Sequence, residues 1–200
     1  MRIITIAHQK GGVGKTTLTL NLAYCFKESM KVAILDSDPQ GSIAGLGELG
    51  EVKGIDFVSF EDFTKGTITG YDILMIDTPP YLSNRLPDFF AVSDFVLIPT
   101  KAGILDAMAI RATIALLQQA QTKRPSLKAG IVLNMIRSNT SITEEIKSIL
   151  VKYDMPVLKT MISERVSYAR SPITGGVFTT DDVKAQEEII NLATEIIEAL

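Results

Sequence analysis

The octet Lys10-Gly11-Gly12-Val13-Gly14-Lys15-Thr16-Thr17 constrains this 200-residue chain more than any other stretch. It follows an apolar run, Ile3-Ile4-Thr5-Ile6-Ala7, that reads as a buried strand. It opens a stretch in which Leu18, Leu22, Cys25 and Phe26 recur at helical spacing. A glycine-rich turn between a strand and a helix points several backbone N–H groups into one concavity. The helix N-terminus adds the positive end of its dipole. Phosphate is the natural occupant of such a turn. Lys15 then reaches the β- and γ-phosphates and the Thr16 hydroxyl ligates Mg²⁺.

Apolar strand-like runs alternate with helical ones along the rest of the chain. Strands are predicted at 2–8, 31–36, 72–77, 95–100, 129–134 and 157–162, with a short additional one at 55–60. Runs such as Phe95-Val96-Leu97-Ile98 are continuously apolar, as in strands covered on both faces. Helical periodicity occupies 16–29, 104–122, 141–152 and about 182–200. The pattern predicts an α/β fold: one domain over 1–200 with a doubly wound, mostly parallel sheet flanked by helices. Ligands bind such sheets beyond the carboxyl ends of the strands, where the octet lies. Residues 41–70 break the pattern with Gly41, Gly45, Gly47, Gly50, Gly54, Gly66 and Gly70.

Carboxylates end two of the strands. Val32-Ala33-Ile34-Leu35-Asp36-Ser37-Asp38-Pro39-Gln40 places Asp36 and Asp38 beside the phosphate turn. Asp38 is positioned to orient or deprotonate an attacking water, and Asp36 to help hold a metal hydration shell. Tyr71 to Pro80 is an apolar strand ending in Asp77, suited to reach Mg²⁺ directly or through water. Asn134 ends the strand Gly130-Ile131-Val132-Leu133, where a side-chain amide can both donate to and accept from a base edge or can cap a turn. Lys101 and Asp106 follow another strand end and receive no role. His8, the single histidine, reads as structural.

The ordinary phosphate-loop pattern, G-x-x-x-x-G-K-S/T, requires Gly at position 9, where Gln9 stands; the loop carries an extra lysine, Lys10, instead. This departure resembles the deviant Walker A motif of the ParA/MinD group of P-loop ATPases, K-G-G-x-G-K-S/T-T. Asp36-Ser37-Asp38-Pro39-Gln40 and Asp77-Thr78-Pro79-Pro80 follow in the order that group shows. The resemblance covers nearly the whole chain and is strongest over 1–40 and 71–80. It implies that Lys10 crosses a dimer interface to the partner's nucleotide. It makes Lys10, Lys15 and Asp38 the hydrolytic residues. It assigns ATP to Gly11, Gly12, Val13, Gly14, Lys15, Thr16, Thr17 and Asn134, with Asn134 on adenine, and Mg²⁺ to Thr16, Asp36 and Asp77. ATP over guanine nucleotide rests on the resemblance.

The net charge of −3 argues against wholesale polyanion binding. Residues 128–170 nevertheless hold seven basic groups against four acidic ones, a balance equally open to a solvated surface. Partition members of the resembled group bind DNA non-specifically as ATP dimers through basic side chains of the C-terminal half. Here the matching candidates are Lys159, Arg165, Arg170 and Lys184, with Arg137 in addition.

Exclusions narrow the class further. No apolar run approaches the ~20 residues that span a bilayer. Cys25 alone supports neither a disulfide framework nor the cluster ligation of nitrogenase-reductase relatives. The strand starting at Arg2 leads to the expectation of no signal peptide and no operator-reading N-terminal domain. The final twenty residues carry six acids and one lysine, against a membrane-surface helix.

The resemblance thus implies a cytoplasmic, nucleoid-associated partition ATPase. It would form an ATP-dependent homodimer, bind DNA non-specifically, leave membranes alone, and hydrolyse ATP slowly until a centromere-binding adaptor protein stimulates it. The alternatives are a positioning ATPase for a protein cargo, a nucleotide-switched adaptor with negligible turnover, and, disfavoured by Lys10, a metabolic synthetase.

Overall fold

The computed structural model describes residues 1–38, 42–48, 52–81, 83–137 and 141–200. Among them seven strands form one sheet: β1 (Arg2–Ile6), β2 (Val32–Asp36), β3 (Asp56–Phe57), β4 (Ile73–Asp77), β5 (Phe95–Thr100), β6 (Lys128–Ile136) and β7 (Val157–Ser163). Their order is β3-β2-β4-β1-β5-β6-β7, and every pairing is parallel. The sheet is therefore wholly parallel rather than mostly so. The chain passes from β1 out through β2 to β3, returns to place β4 between β2 and β1, and then winds outward on the other side through β5 and β6 to β7. The carboxyl end of β1 lies at the switch point, where such sheets open a crevice.

Alternation within the strands builds two cores. Ile4, Ile6, Ile73, Met75, Phe95 and Leu97 face one way and pack with α1 (Lys15–Phe26) and, further along, the C-terminal helix. Leu74, Ile76, Val96 and Ile98 face the other way, against helices of the chain's middle third. Both faces are buried, so the strands read as continuous apolar runs.

The remaining helices are α2 (Ser42–Glu48), α3 (Phe60–Lys65), α4 (Leu86–Val92), α5 (Ile104–Ala109), α6 (Arg111–Lys123), α7 (Ser141–Leu150), α8 (Val166–Thr174) and α9 (Val183–Ala199). Periodicity had not signalled α2, α3, α4 or α8. The first three are short, and α8 contains Pro172. That proline cannot donate to Tyr168, whose carbonyl instead accepts from the Ser171 hydroxyl at 2.9 Å. The single helix expected over 104–122 is two. Gln9 donates its side-chain amide to the carbonyl of Ala109, the last residue of α5, and such an insertion interrupts a helical ladder. The strand expected over 55–60 shrinks to Asp56–Phe57. Gly41, Gly50, Pro39 and Gln40 lie outside the described residues.

Beyond β6 lies the sheet edge, and α9 closes it. Glu195 accepts from the backbone N–H groups of Lys159 and Thr160, and Glu188 from that of Ser163. An exposed row of strand amides invites pairing with another chain. Here two carboxylates of α9 occupy those donors.

Candidate phosphate and nucleotide site

The turn between β1 and α1 is built from glycines with positive φ. Gly12 stands at +69° and Gly14 at +91°. Gly14 caps α1, and no side chain bonds the helix N-terminus among the described residues. Its first N–H groups are thus left for an external acceptor, and phosphate suits them. Gly14 is doubly required, because a Cβ there would sit 2.2 Å from Nδ2 of Asn134.

Lys15 is buried, and its ammonium lies 3.4 Å from the Lys10 carbonyl. Burial lowers its pKa from the ordinary lysine value, while the charges of Asp77 and Asp38 pull it back up. A buried ammonium facing two carboxylates and a loop of open N–H groups makes a site that anionic oxygen completes.

Asp77 is 1% exposed at the end of β4. Its Oδ2 accepts from the Thr16 hydroxyl at 2.7 Å, and its Oδ1 from the Thr19 hydroxyl at 3.2 Å. Burial pushes its carboxyl up to about 7, and Asp36 pushes the same way; Thr16, Lys15 and Thr19 oppose. This pair of oxygens fits Mg²⁺, which takes one or two protein ligands and fills its shell with water and phosphate. Thr16 and Asp77 would hold the ion, and the ion would neutralise charge on the phosphates.

Asp36 sits beside Asp77 in the register of β2 and β4. Its Oδ1 accepts from the Asp38 amide and its Oδ2 from the Ile43 amide, both at 3.0 Å. The carboxylate predicted for the metal's hydration shell therefore also ties the strand end to α2. Asp38 follows that turn, close enough to Lys15 to raise its pKa. Thr78 donates to the Ile6 carbonyl at 2.8 Å, and the Ser37 hydroxyl to the Asp77 carbonyl at 2.6 Å. The three strand ends that carry the predicted chemistry are thus bonded to one another.

Lys10 turns outward. Its ammonium meets Asp106 of α5 at 2.8 Å, and its side chain is 42% exposed. Its backbone N–H points inward, to Nδ1 of His8 at 2.8 Å. Asp106 lay in the sequence as an acid beyond a strand end, and only the fold pairs it with Lys10. On either side of Asp106, Ile104, Leu105 and Met108 are exposed.

Asn134 is buried against the loop. Its Nδ2 donates to the Val13 carbonyl at 2.7 Å, and its Oδ1 accepts from the Met135 amide at 2.9 Å. The side chain predicted to read adenine is engaged with phosphate-loop backbone, so a base contact requires an exchange of these bonds. Met135 holds φ +56°, a strained value for a long side chain. Next to it opens a cavity of about 440 Å³, lined by Thr17, Leu18, Asn134, Met135, Arg165 and Tyr168 among others. Its position beside the phosphate turn and its volume suit a nucleoside.

The basic candidates do not form a uniform set. Arg165 is not an open surface charge: it pairs with Glu188 at 3.2 Å and Asp182 at 3.5 Å in the seam between α8 and α9. Arg137 pairs with Glu164 at 2.6 Å. Lys159, Arg170 and Lys184 are exposed. Cys25 packs partly buried against the α1 core, and burial raises its thiol pKa. No helix among the described residues is long and apolar enough to cross a membrane.

Comparison with known proteins accords with this geometry. Residues 4–178 match the model of the CobQ/CobB/MinD/ParA nucleotide binding domain. The chain is 29% identical to the maintenance of carboxysome distribution protein A of Halothiobacillus neapolitanus, covering 97% of this chain and 95% of that one. It is 27% identical to the chromosome-partitioning ATPase Soj of Thermus thermophilus, over 88% and 86% of the two chains. A crystal structure of a plasmid partition protein from Borrelia burgdorferi bound to AMPPNP superposes with a TM-score of 0.74 at 24% identity, covering 98% of each chain.

Proposed function

This chain belongs to the CobQ/CobB/MinD/ParA nucleotide-binding family, and from that premise we propose that it is a partition ATPase that dimerises on ATP, binds DNA in that state and segregates its cargo. The observation that carries the reading is the placement of Lys10. It stands half-exposed, paired with Asp106, at the start of the candidate phosphate loop and beside the exposed apolar side chains of α5. A second chain docking there would bury Leu105 and Met108 and receive Lys10 at its own nucleotide.

ATP and Mg²⁺ bind at Gly11–Thr17, with Asp77 and Asp36 at the metal. Asp38 positions the attacking water, and an adaptor protein completes that positioning, so intrinsic turnover is slow. Hydrolysis dissolves the dimer and releases DNA. The protein works in the cytoplasm on the nucleoid. Arg170, Lys184 and Lys159 supply the phosphate contacts, which need no fixed spacing.

The carboxysome relative favours a second reading, in which the cargo is a protein assembly and the chemistry is shared. Deleting the gene separates the two, since the first reading predicts loss of a replicon and the second a mispositioned assembly. The chemistry itself is tested by light scattering with and without ATP–Mg²⁺ on wild type, Lys10→Ala and Asp38→Ala, with generic DNA added last. ATP should drive wild type to a dimer, Asp38→Ala should trap it, Lys10→Ala should stay monomeric, and DNA should bind the dimers. A wild type that binds ATP and remains monomeric overturns the reading. A dimer without turnover, even with adaptor, moves the protein to a nucleotide-switched adaptor.

A further inference from the structure

We propose that His8 is a positioning residue for Lys10: its neutral ring accepts the Lys10 amide and so sets the direction in which that lysine leaves the phosphate loop. The inference deepens the partition reading, because it concerns the residue assigned to the partner's nucleotide.

The geometry is that of an Asx-turn made by an imidazole. An Asn or Asp side chain often accepts from the amide two residues on. Here His8 Nδ1 accepts from the amide of Lys10, two residues on, at 2.8 Å. The accepting nitrogen carries no proton, so the ring's proton is on Nε2. The ring is 1% exposed. Its Nε2–H finds no hydrogen-bond partner among the described residues. An orphaned buried donor destabilises a fold by about 1–3 kcal/mol. A leucine would pack there without that penalty, so packing alone does not account for a histidine.

The loop supplies the reason. Neighbouring amides of the turn would serve the phosphates, whereas the Lys10 amide is turned inward to His8. With the amide held, the side chain leaves on the outer side, where Asp106 receives it. Gln9 is fastened at the same place through Ala109. His8 and α5 thus hold the loop's entry from two sides. The charges near the ring keep it in the accepting form. Burial and the cations Lys15 and Lys10 disfavour imidazolium, and Asp106 alone opposes them.

The sole histidine gives one set of ring signals, which makes the test direct. Three proteins are compared: wild type, His8→Asn and His8→Leu. Long-range ¹H–¹⁵N spectra of wild type should show the Nε2–H tautomer. Hydrogen exchange at the Lys10 amide should be at least tenfold faster in His8→Leu than in wild type or His8→Asn, with the melting temperature of His8→Leu unchanged or higher. The affinity of His8→Leu for ATP should stay within threefold, since Gly11–Thr16 and Lys15 are untouched. Its kcat and ATP-driven dimerisation should fall at least tenfold, and His8→Asn should restore both to within threefold. An Nδ1–H tautomer, equal Lys10 protection in all three, or no rescue by asparagine overturns the proposal. Loss of ATP affinity in step with melting temperature would show a merely structural role and also overturn it. If wild type fails to dimerise with ATP, the partition reading falls, while tautomer and Lys10 protection still decide the role of His8.

Discussion

At the residue scale, burial decides what each group can do. Asn134 and Gly14 are in contact, so Gly14→Ala forces either the asparagine away from Val13 or the backbone out of its left-handed turn. Together these should cost about 2–4 kcal/mol and abolish nucleotide binding, read by denaturant unfolding and by nucleotide titration. His8 predicts a pH dependence. Its folded pKa is lowered to about 4 from the ordinary 6.5, with burial the largest cause. Between those values the unfolded chain takes up a proton that the folded chain refuses. The contribution of His8 is therefore complete above about pH 6.5 and is lost as pH falls toward 4. Wild type should lose up to about 1.4 kcal/mol per pH unit relative to His8→Asn across that window. Asp77 titrates in both proteins, and the difference between their unfolding curves cancels it.

Elements are coupled here by carboxylates more than by charge balance. The acids of the last helix read in the sequence as a reason to exclude a membrane surface. Two of them are structural acceptors. Glu195 and Glu188 satisfy amides of the edge strand, and Glu188 also receives the Ser163 and Tyr168 hydroxyls and Arg165. Glu188→Ala should cost about 1–3 kcal/mol and accelerate hydrogen exchange in β7, because it strands the Ser163 amide and hydroxyl and leaves Arg165 with Asp182 as its remaining carboxylate. Arg165→Glu would bring a third carboxylate into the same seam and should unfold α9 from β7, whatever it does to DNA. A test of DNA contact belongs on Arg170 and Lys184. Charge reversal at both should weaken DNA binding at least tenfold and leave ATP turnover in place, measured by anisotropy at two salt concentrations. The Asp106→Asn change should move global stability by less than about 1 kcal/mol, since the pair with Lys10 is partly exposed. Its effect should appear instead as faster hydrogen exchange in α5.

For the whole molecule, the phosphate site and the sheet are one construction. The central strands deliver Asp36 and Asp77 to one edge, parallel register holds the two side by side, and the first turn of α1 brings Thr16 to Asp77. Nucleotide binding should therefore stabilise the entire domain. Saturating at a hundredfold excess over the dissociation constant should add about 2.7 kcal/mol in Lys10→Ala, which keeps the site. Wild type should gain more, and in a concentration-dependent way, because dimerisation adds to binding. Thermal melts at two protein concentrations distinguish these cases.

The octet, its strand and its helix were legible because each local signal agreed with the others: apolar run, glycines able to take positive φ, then helical periodicity. The central strands were equally plain, since double burial leaves a continuous apolar signature. Short α2, α3 and α4 were not, because six or seven residues carry too little periodicity, and α8 hides behind a proline whose lost bond Ser171 replaces. The break at Ile110 depended on Gln9, a hundred residues away. Sequence by itself thus determined the fold class and the nucleotide-binding family, which rest on local pattern. Tertiary structure alone decided which side chains remain open: it engaged Asn134 with the loop, closed Arg165 with two carboxylates, and set Asp106 beside Lys10. Those outcomes are contacts between residues far apart in the chain, and no local preference encodes them.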